Sequence, residues 1–196
     1  MPFIIVAVLS GAIGLLRGGR IYNLTHLSIR WSGLPLLALG VQLFVIYGPA
    51  RADARSFGLP ALMILGSYAL LVFTVLANWR IPGMMLRGVG AALNLLVILL
   101  NGGWMPVTAE HLVAAGLLSS PTALEPGQRV PFSKDVLVAR HEGYLSWLSD
   151  VFMISKAGPL STVFSLGDGL MMLGLFWIIQ YGIMRGGGDD LQAARS

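Results

Sequence analysis

The chain has 196 residues, of which 56% are hydrophobic and only 11% charged, with a mean hydropathy of +0.77. A soluble domain carries about 25% charged residues, so too few remain here to cover a water-facing surface, and lipid is the expected main solvent. The net charge of +4 does not indicate nucleic acid, because the basic residues flank apolar segments and form no aromatic-interleaved stripe. The absence of cysteine excludes disulfides, thiolate chemistry, cysteine-ligated zinc and iron–sulfur clusters.

A membrane-crossing helix needs roughly 20 mostly apolar residues, within a working range of about 17 to 25. Five segments qualify or nearly do: about 2–16, 31–48, 59–77, 83–100 and 166–184. The first has no positive charge ahead of its apolar run, and Arg17 and Arg20 follow it. That order is the reverse of a cleaved signal and predicts a retained anchor with its N-terminus outside. The fold class expected is therefore all-α: a polytopic membrane protein of about five transmembrane helices with one large extracytoplasmic loop, about 102–165, containing short helices. Residues 1–185 read as a single membrane domain, and the Gly-rich segment 186–196 as a disordered cytoplasmic tail.

Charge gives the orientation. With the N-terminus outside, Arg17, Arg20, Arg30, Arg80, Arg87, Arg185 and Arg195 fall on the inner side of the cell membrane, and the short outer loop keeps Arg51 and Arg55. The long loop holds four basic and five acidic residues, and long loops translocate largely regardless of charge. Trp31 and Trp79 fall at inner boundaries, Tyr47 and Trp104 at outer ones, where amphipathic rings prefer to sit.

Within the loop, Thr108 can cap a short helix that Gly116 ends. Pro121, Pro126 and Pro131 then punctuate an extended stretch. Tyr144, Leu145, Trp147, Leu148, Val151 and Phe152 recur at helical spacing, which predicts a second, amphipathic helix over about 144–157, held close to the membrane.

Two motifs bracket the loop. Asn101-Gly-Gly-Trp104-Met-Pro106 ends the fourth helix with glycines that tolerate positive φ and a proline that stops propagation. Ser165-Leu-Gly-Asp168 fits a capping box, and its carboxylate suits the positive end of a helix dipole. Both motifs lie on one face of the membrane, so Asn101, Trp104, Ser165 and Asp168 are candidates for one cluster, functional or structural. Deeper in the apolar segments, Gln42 and Asn94 lie at similar depth and are expected to bond each other as interhelical glue. Ser10-xxx-Gly14 and Gly88-xxx-Ala92 have the spacing of close helix packing. His26, His111 and His141 share no metal-ligand spacing, and no catalytic motif is present.

At these motifs the chain resembles a family of small bacterial polytopic membrane proteins known only as a domain of unknown function. The matching features are Leu15-Leu-Arg17-Gly-Gly-Arg20, Leu93-Asn94 leading to Asn101-Gly-Gly-Trp-Met-Pro-Val107, and Phe164-Ser-Leu-Gly-Asp168. Members often carry Leu-Gly-Asp near the end of the loop, where this chain has Leu148-Ser149-Asp150. The resemblance implies the architecture and no activity.

The first expectation for function is a non-enzymatic membrane component that presents its outer loop to a partner, another membrane protein or a second copy, with the bilayer as solvent. No catalytic residue, metal or cofactor is assigned. The alternatives are a small transporter using Gln42, Asn94 and Asp168, and a membrane enzyme with an outer site around Asp150, Asp168 and His141.

Overall fold

The computed structural model describes residues 2–48, 57–139, 142–154 and 161–185. Most of it is helical: α1 (Pro2–Leu16), α2 (Gly33–Tyr47), α3 (Leu59–Ala77), α4 (Met84–Leu100), a short α5 (Ala109–Ala114) and α6 (Leu166–Met184). The five long helices fall on the five apolar segments to within two residues. Of these, α3 and α6 are long and apolar enough to cross a membrane, and α1, α2 and α4 are shorter apolar helices. Arg51, Arg55, His141 and the tail 186–196 lie outside the described residues.

The long helices stand in a row, α1 against α6, α6 against α4, α4 against α3, and α3 against α2. The α4–α6 pair is the most intimate, and glycine is the reason. Gly83 and Gly90 on the α4 side face Gly174 and Gly167 of α6, seven residues apart on each strip. A Cβ on Gly83 would sit 2.6 Å from the Gly174 carbonyl oxygen, and one on Gly174 would sit 2.7 Å from the Gly83 carbonyl oxygen. Backbone therefore touches backbone, the packing small residues permit. The predicted Gly88-xxx-Ala92 strip is only half used: Gly88 abuts Val75 of α3, whereas Ala92 is exposed. Ser10 and Gly14 do meet α6, where the Ser10 hydroxyl donates to the Phe176 carbonyl at 3.0 Å and Gly14 faces Ile183.

Polar side chains tie together the helix ends away from the 102–165 segment. Asn23 donates to the Ile183 carbonyl at 2.8 Å, and the Asn78 amide clamps the Arg30 backbone at 2.8 Å in both directions. At the opposite end the 102–165 segment forms a cap. Its β1 (Met105–Thr108) pairs in parallel with β2 (Asp135–Val138), and β3 (Phe152–Ile154) pairs antiparallel with β4 (Thr162–Phe164). Trp104, Met105, Val136 and Leu148 of the cap share one buried core with Val45, Ile64, Tyr68, Val97 and Ile98 of the helices. The cap is seated on the row by apolar burial.

Two expectations for the cap are corrected. No helix spans 144–154: a 3-10 turn at Ser146–Leu148 is followed by the strand β3, and residues 155–157 lie outside the described region. The left-handed Leu145 (φ 56°) and the burial of Leu148 break the helical face, and Phe152 stacks on Phe164 across the strand pair at 5.6 Å. Trp104 is no interfacial anchor. Its ring is fully buried, with the Arg129 guanidinium 4.4 Å above it.

Candidate functional site

The site begins at the start of α6. Ser165 caps the helix, its Oγ accepting from the Asp168 amide at 2.9 Å, while the Ser165 amide donates to Asp168 Oδ2 at 3.4 Å. This reciprocal box satisfies two donors that a helix terminus leaves free. Asn94 of α4 completes it. Its Nδ2 donates to Asp168 Oδ1 at 2.7 Å and its Oδ1 accepts from Ser165 Oγ at 2.8 Å. Asn94 is fully buried, and Gly167 supplies its space, because a Cβ there would strike the Asn94 carbonyl oxygen. Each residue of Ser165-Leu-Gly-Asp168 apart from the leucine thus has a role in seating Asn94.

The second part comes from the cap. The turn before β2 delivers Ser133 and Lys134, the first residue of β2 is Asp135, and the segment after the 3-10 turn delivers Asp150. Lys134 Nζ stands 3.4 Å from Asp168 Oδ2 and 3.8 Å from Asp150 Oδ2, bridging cap and α6. Ser133 Oγ donates to Asp135 Oδ2 at 2.5 Å. Asp135 and Asp150 are within side-chain hydrogen-bonding reach of each other, are 3% and 2% exposed, and keep Oδ1 atoms with no other partner.

Burial governs the charge states. It raises Asp150 well above the ordinary carboxylate range, and Asp135 and Asp168 add to the rise against the pull of Lys134. Burial raises Asp135 as well, with Lys134 and the Ser133 hydroxyl opposing. For Lys134 burial works against the ammonium, but Asp150 and Asp168 outweigh it, and its value stands well above that of a free lysine. The lysine is accordingly a fixed cation, not a base. Asp135 and Asp150 are positioned to share one proton.

These groups form the polar head of a cleft of ≈ 690 Å³ under the cap. Its walls are mostly apolar and include Phe3 of α1, Leu39 and Ile46 of α2, Leu71 of α3, Met171 of α6 and Phe164 of the cap. Thus α1 and α2, the two ends of the helix row, both face it. A smaller hollow of ≈ 330 Å³ lies on the cap between Asn101, Gly127, Val136 and Glu142. It has no comparable cluster of buried ionisable groups.

The candidates taken from the sequence divide into four places. Asn94, Ser165 and Asp168 are joined directly. Gln42 lines the cleft but donates to Ser67 at 3.0 Å, not to Asn94, whose amide is taken up by α6. Asn101 is elsewhere: its side chain donates to the Val97 and Tyr144 carbonyls at 2.7 and 2.9 Å and accepts from the Tyr144 amide at 2.9 Å, fastening the cap to the end of α4. Trp104 lies in the shared core. Asp150 and Asp168, two of the three groups of the enzyme alternative, each stand beside Lys134, at 3.8 and 3.4 Å, and His141 lies outside the described residues.

Sequence reasoning missed Lys134, and considered Asp135 only as a possible ligand, with His111, His141, Glu110 and Glu142, of an outer-loop metal site. One signal was available: Lys134 is one of only two lysines in an arginine-rich chain, placed directly before the apolar run Val136-Leu-Val. A lysine beside an apolar run, if buried with it, demands a carboxylate partner.

A model of a family described only as being of unknown function (DUF5317) matches residues 26–180. No curated protein and no solved structure matches the chain.

Proposed function

The chain belongs to the DUF5317 family of unknown function, and we propose that it is a multi-pass membrane protein that takes a small amphiphilic molecule into the cleft beneath its cap. The observation that carries this reading is the placement of Lys134, Asp150 and Asp168 at the head of a mostly apolar cleft of ≈ 690 Å³. Small-molecule sites span roughly 300–1,000 Å³ and combine apolar walls with a few convergent polar groups. An apolar body fits between the walls and a polar head meets the cluster of Lys134 and the aspartates.

The membrane setting has its own support. Ile4 and Val8 of α1, Leu36 of α2, Leu62 and Leu76 of α3, and Leu173 and Trp177 of α6 are all more than half exposed. Apolar surface shared over so many helices is costly in water and at home in lipid. A 15-residue helix covers only about 22 Å, so α1 and α2 span with their flanking turns or beneath a locally thinned bilayer. Arg17, Arg20, Arg30, Arg80 and Arg185 gather at the end away from the cap. By the positive-inside bias, that end is cytoplasmic and the cap extracytoplasmic.

The test is photolabelling of the protein in lipid nanodiscs with a diazirine-bearing ten-carbon alcohol. Label should appear on Leu39, Ile46 and Met171 and be competed by the unlabelled alcohol. Labelling confined to outward residues such as Leu36 and Leu62 would refute a ligand cleft.

A second reading, docking of a protein partner on the cap, is supported by Phe132, Tyr144 and Trp147, which are 76%, 69% and 65% exposed. Aromatic residues are enriched at such interfaces. Replacing Tyr144 and Trp147 by serine should then abolish chemical crosslinking of the cap to its partner while leaving photolabelling of the cleft unchanged.

A further inference from the structure

The three carboxylates at the head of the cleft are not equivalent. Asp168 is saturated: Asn94 occupies Oδ1 at 2.7 Å, and the Ser165 amide and Lys134 share Oδ2, each at 3.4 Å. It is the structural counter-charge of the lysine. Asp135 and Asp150 each have one oxygen engaged, by Ser133 and Lys134 respectively, and one Oδ1 with no other partner. Both residues line the cleft, and both are almost wholly buried. Arg129, the other nearby cation among the described residues, is turned toward the Trp104 ring and the Val45 and Ser133 carbonyls.

We propose that Asp135 and Asp150 form an exchange site, at which the ammonium head of a cationic amphiphile replaces the proton that the two carboxyls share when the cleft is empty. This rests on the cleft reading given above and specifies its ligand class. In the empty state Asp150 carries the proton and donates it to Asp135, so the pair holds one negative charge. A protonated amine entering the cleft donates N–H bonds to the two vacated oxygens, and the carboxylic O–H releases its proton to water. No bond other than O–H breaks, and charge is conserved: one cation enters as one proton leaves. The groups facing Asp150 are Lys134 and Asp135 of the cap, Asp168 of α6 and Tyr68 of α3. Lys134 is already matched by Asp168, so an incoming cation meets two carboxylates against no uncommitted positive charge. The burial that raises both aspartates favours the protonated form of the empty pair. An anionic amphiphile would meet the same unneutralised pair and be repelled.

Calorimetric titration of the full chain in nanodiscs tests this, with decylamine hydrochloride and decanol as probes and protein-free nanodiscs as the blank. Decylammonium should bind with release of up to one proton, read from the dependence of the heat on buffer ionisation enthalpy. Decanol should bind without releasing one. Asp150→Asn, which retains a buried polar group of the same size, should weaken decylammonium binding about ten- to a hundredfold, the range of a charge-assisted hydrogen bond, and abolish the accompanying proton release. Equal binding of both probes to the wild-type protein without proton release would overturn the exchange site while leaving the cleft reading in place. If neither probe binds a protein that melts cooperatively, the cleft reading falls and the exchange site with it. The proton count uses the wild-type protein alone, so a variant that fails to fold does not blunt the test.

Discussion

Asn94 and Asp168, 74 residues apart in sequence, are joined by a 2.7 Å hydrogen bond in which the buried amide of α4 donates to the capping carboxylate of α6. The bond links a local device, the helix cap, to the closest helix–helix contact in the molecule. It also fixes the carboxylate that receives Lys134. Replacing Asn94 by alanine leaves an acceptor on Asp168 and a donor on Ser165 unpartnered in a buried place. The expected loss is about 1–3 kcal/mol, read as a lower midpoint in thermal unfolding in detergent. An unchanged midpoint would show that the network contributes nothing net.

The glycine seam makes a sharper prediction, because it contrasts chemically identical changes. Gly90→Ala presses a methyl group into the Gly167 carbonyl and Met171, and Gly174→Ala into the Gly83 carbonyl 2.7 Å away. Each should cost about 1–3 kcal/mol through overpacking. Gly66→Ala and Gly169→Ala meet open space and should fall within about 0.5 kcal/mol of the parent or slightly above it. Melting the four variants side by side is sufficient. Equal midpoints would deny that α4 and α6 touch through backbone.

Stability should respond to pH through the cap aspartates. Their pKa values are raised in the folded state, so the native cap retains protons that the unfolded chain has released. That contribution is complete below the ordinary value of 3.8 and is lost as pH climbs through the raised Asp150 value. Lys134, also raised, keeps its contribution until pH passes the ordinary 10.5 and then loses it. Unfolding followed across this range should show Asp150→Asn declining less steeply with pH than the parent. Parallel curves would contradict a buried, protonated Asp150.

Arg129 holds the cap to α2 by donating to the Val45 carbonyl at 3.2 Å while lying over Trp104. Arg129→Lys keeps the charge but loses the planar stack and the forked donor set. Limited proteolysis should then open the cap between residues 118 and 134, about tenfold faster for a cost of about 1.4 kcal/mol, with α6 still protected. Identical cleavage rates would assign the cap's seating to apolar burial alone.

The sequence made the rods and their stops legible because those depend on neighbours along the chain. The five apolar segments, the Ser165–Asp168 box, the Thr108 cap and the left-handed Gly102, Gly103 and Gly116 all follow from residue type at fixed short spacing. What stayed hidden depends on partners far away. Gln42 and Asn94 were placed at equal depth, which was reasonable, but depth says nothing about the direction in which a helix faces, and each turned to a different neighbour. Trp104 looked like an interface anchor because its place after a helix end is common to anchors and to cores. The apolar spacing of 144–152 imitated a helix because the turn that interrupts it is held from outside, by the Asn101 side chain on the Tyr144 backbone. Lys134 needed knowledge of where two aspartates, 16 and 34 residues onward, come to rest.

The cap is inserted between α4 and α6, the two helices whose backbones lie closest, so its entry and exit are pinned by a contact that does not involve it. A break in the 118–134 stretch would therefore yield two polypeptides that remain paired, one ending in the cap and the other carrying α6. The site could then be assembled from separately expressed halves, and grafts of extra sequence there would burden the cap alone, since lengthening an already long loop costs little entropy.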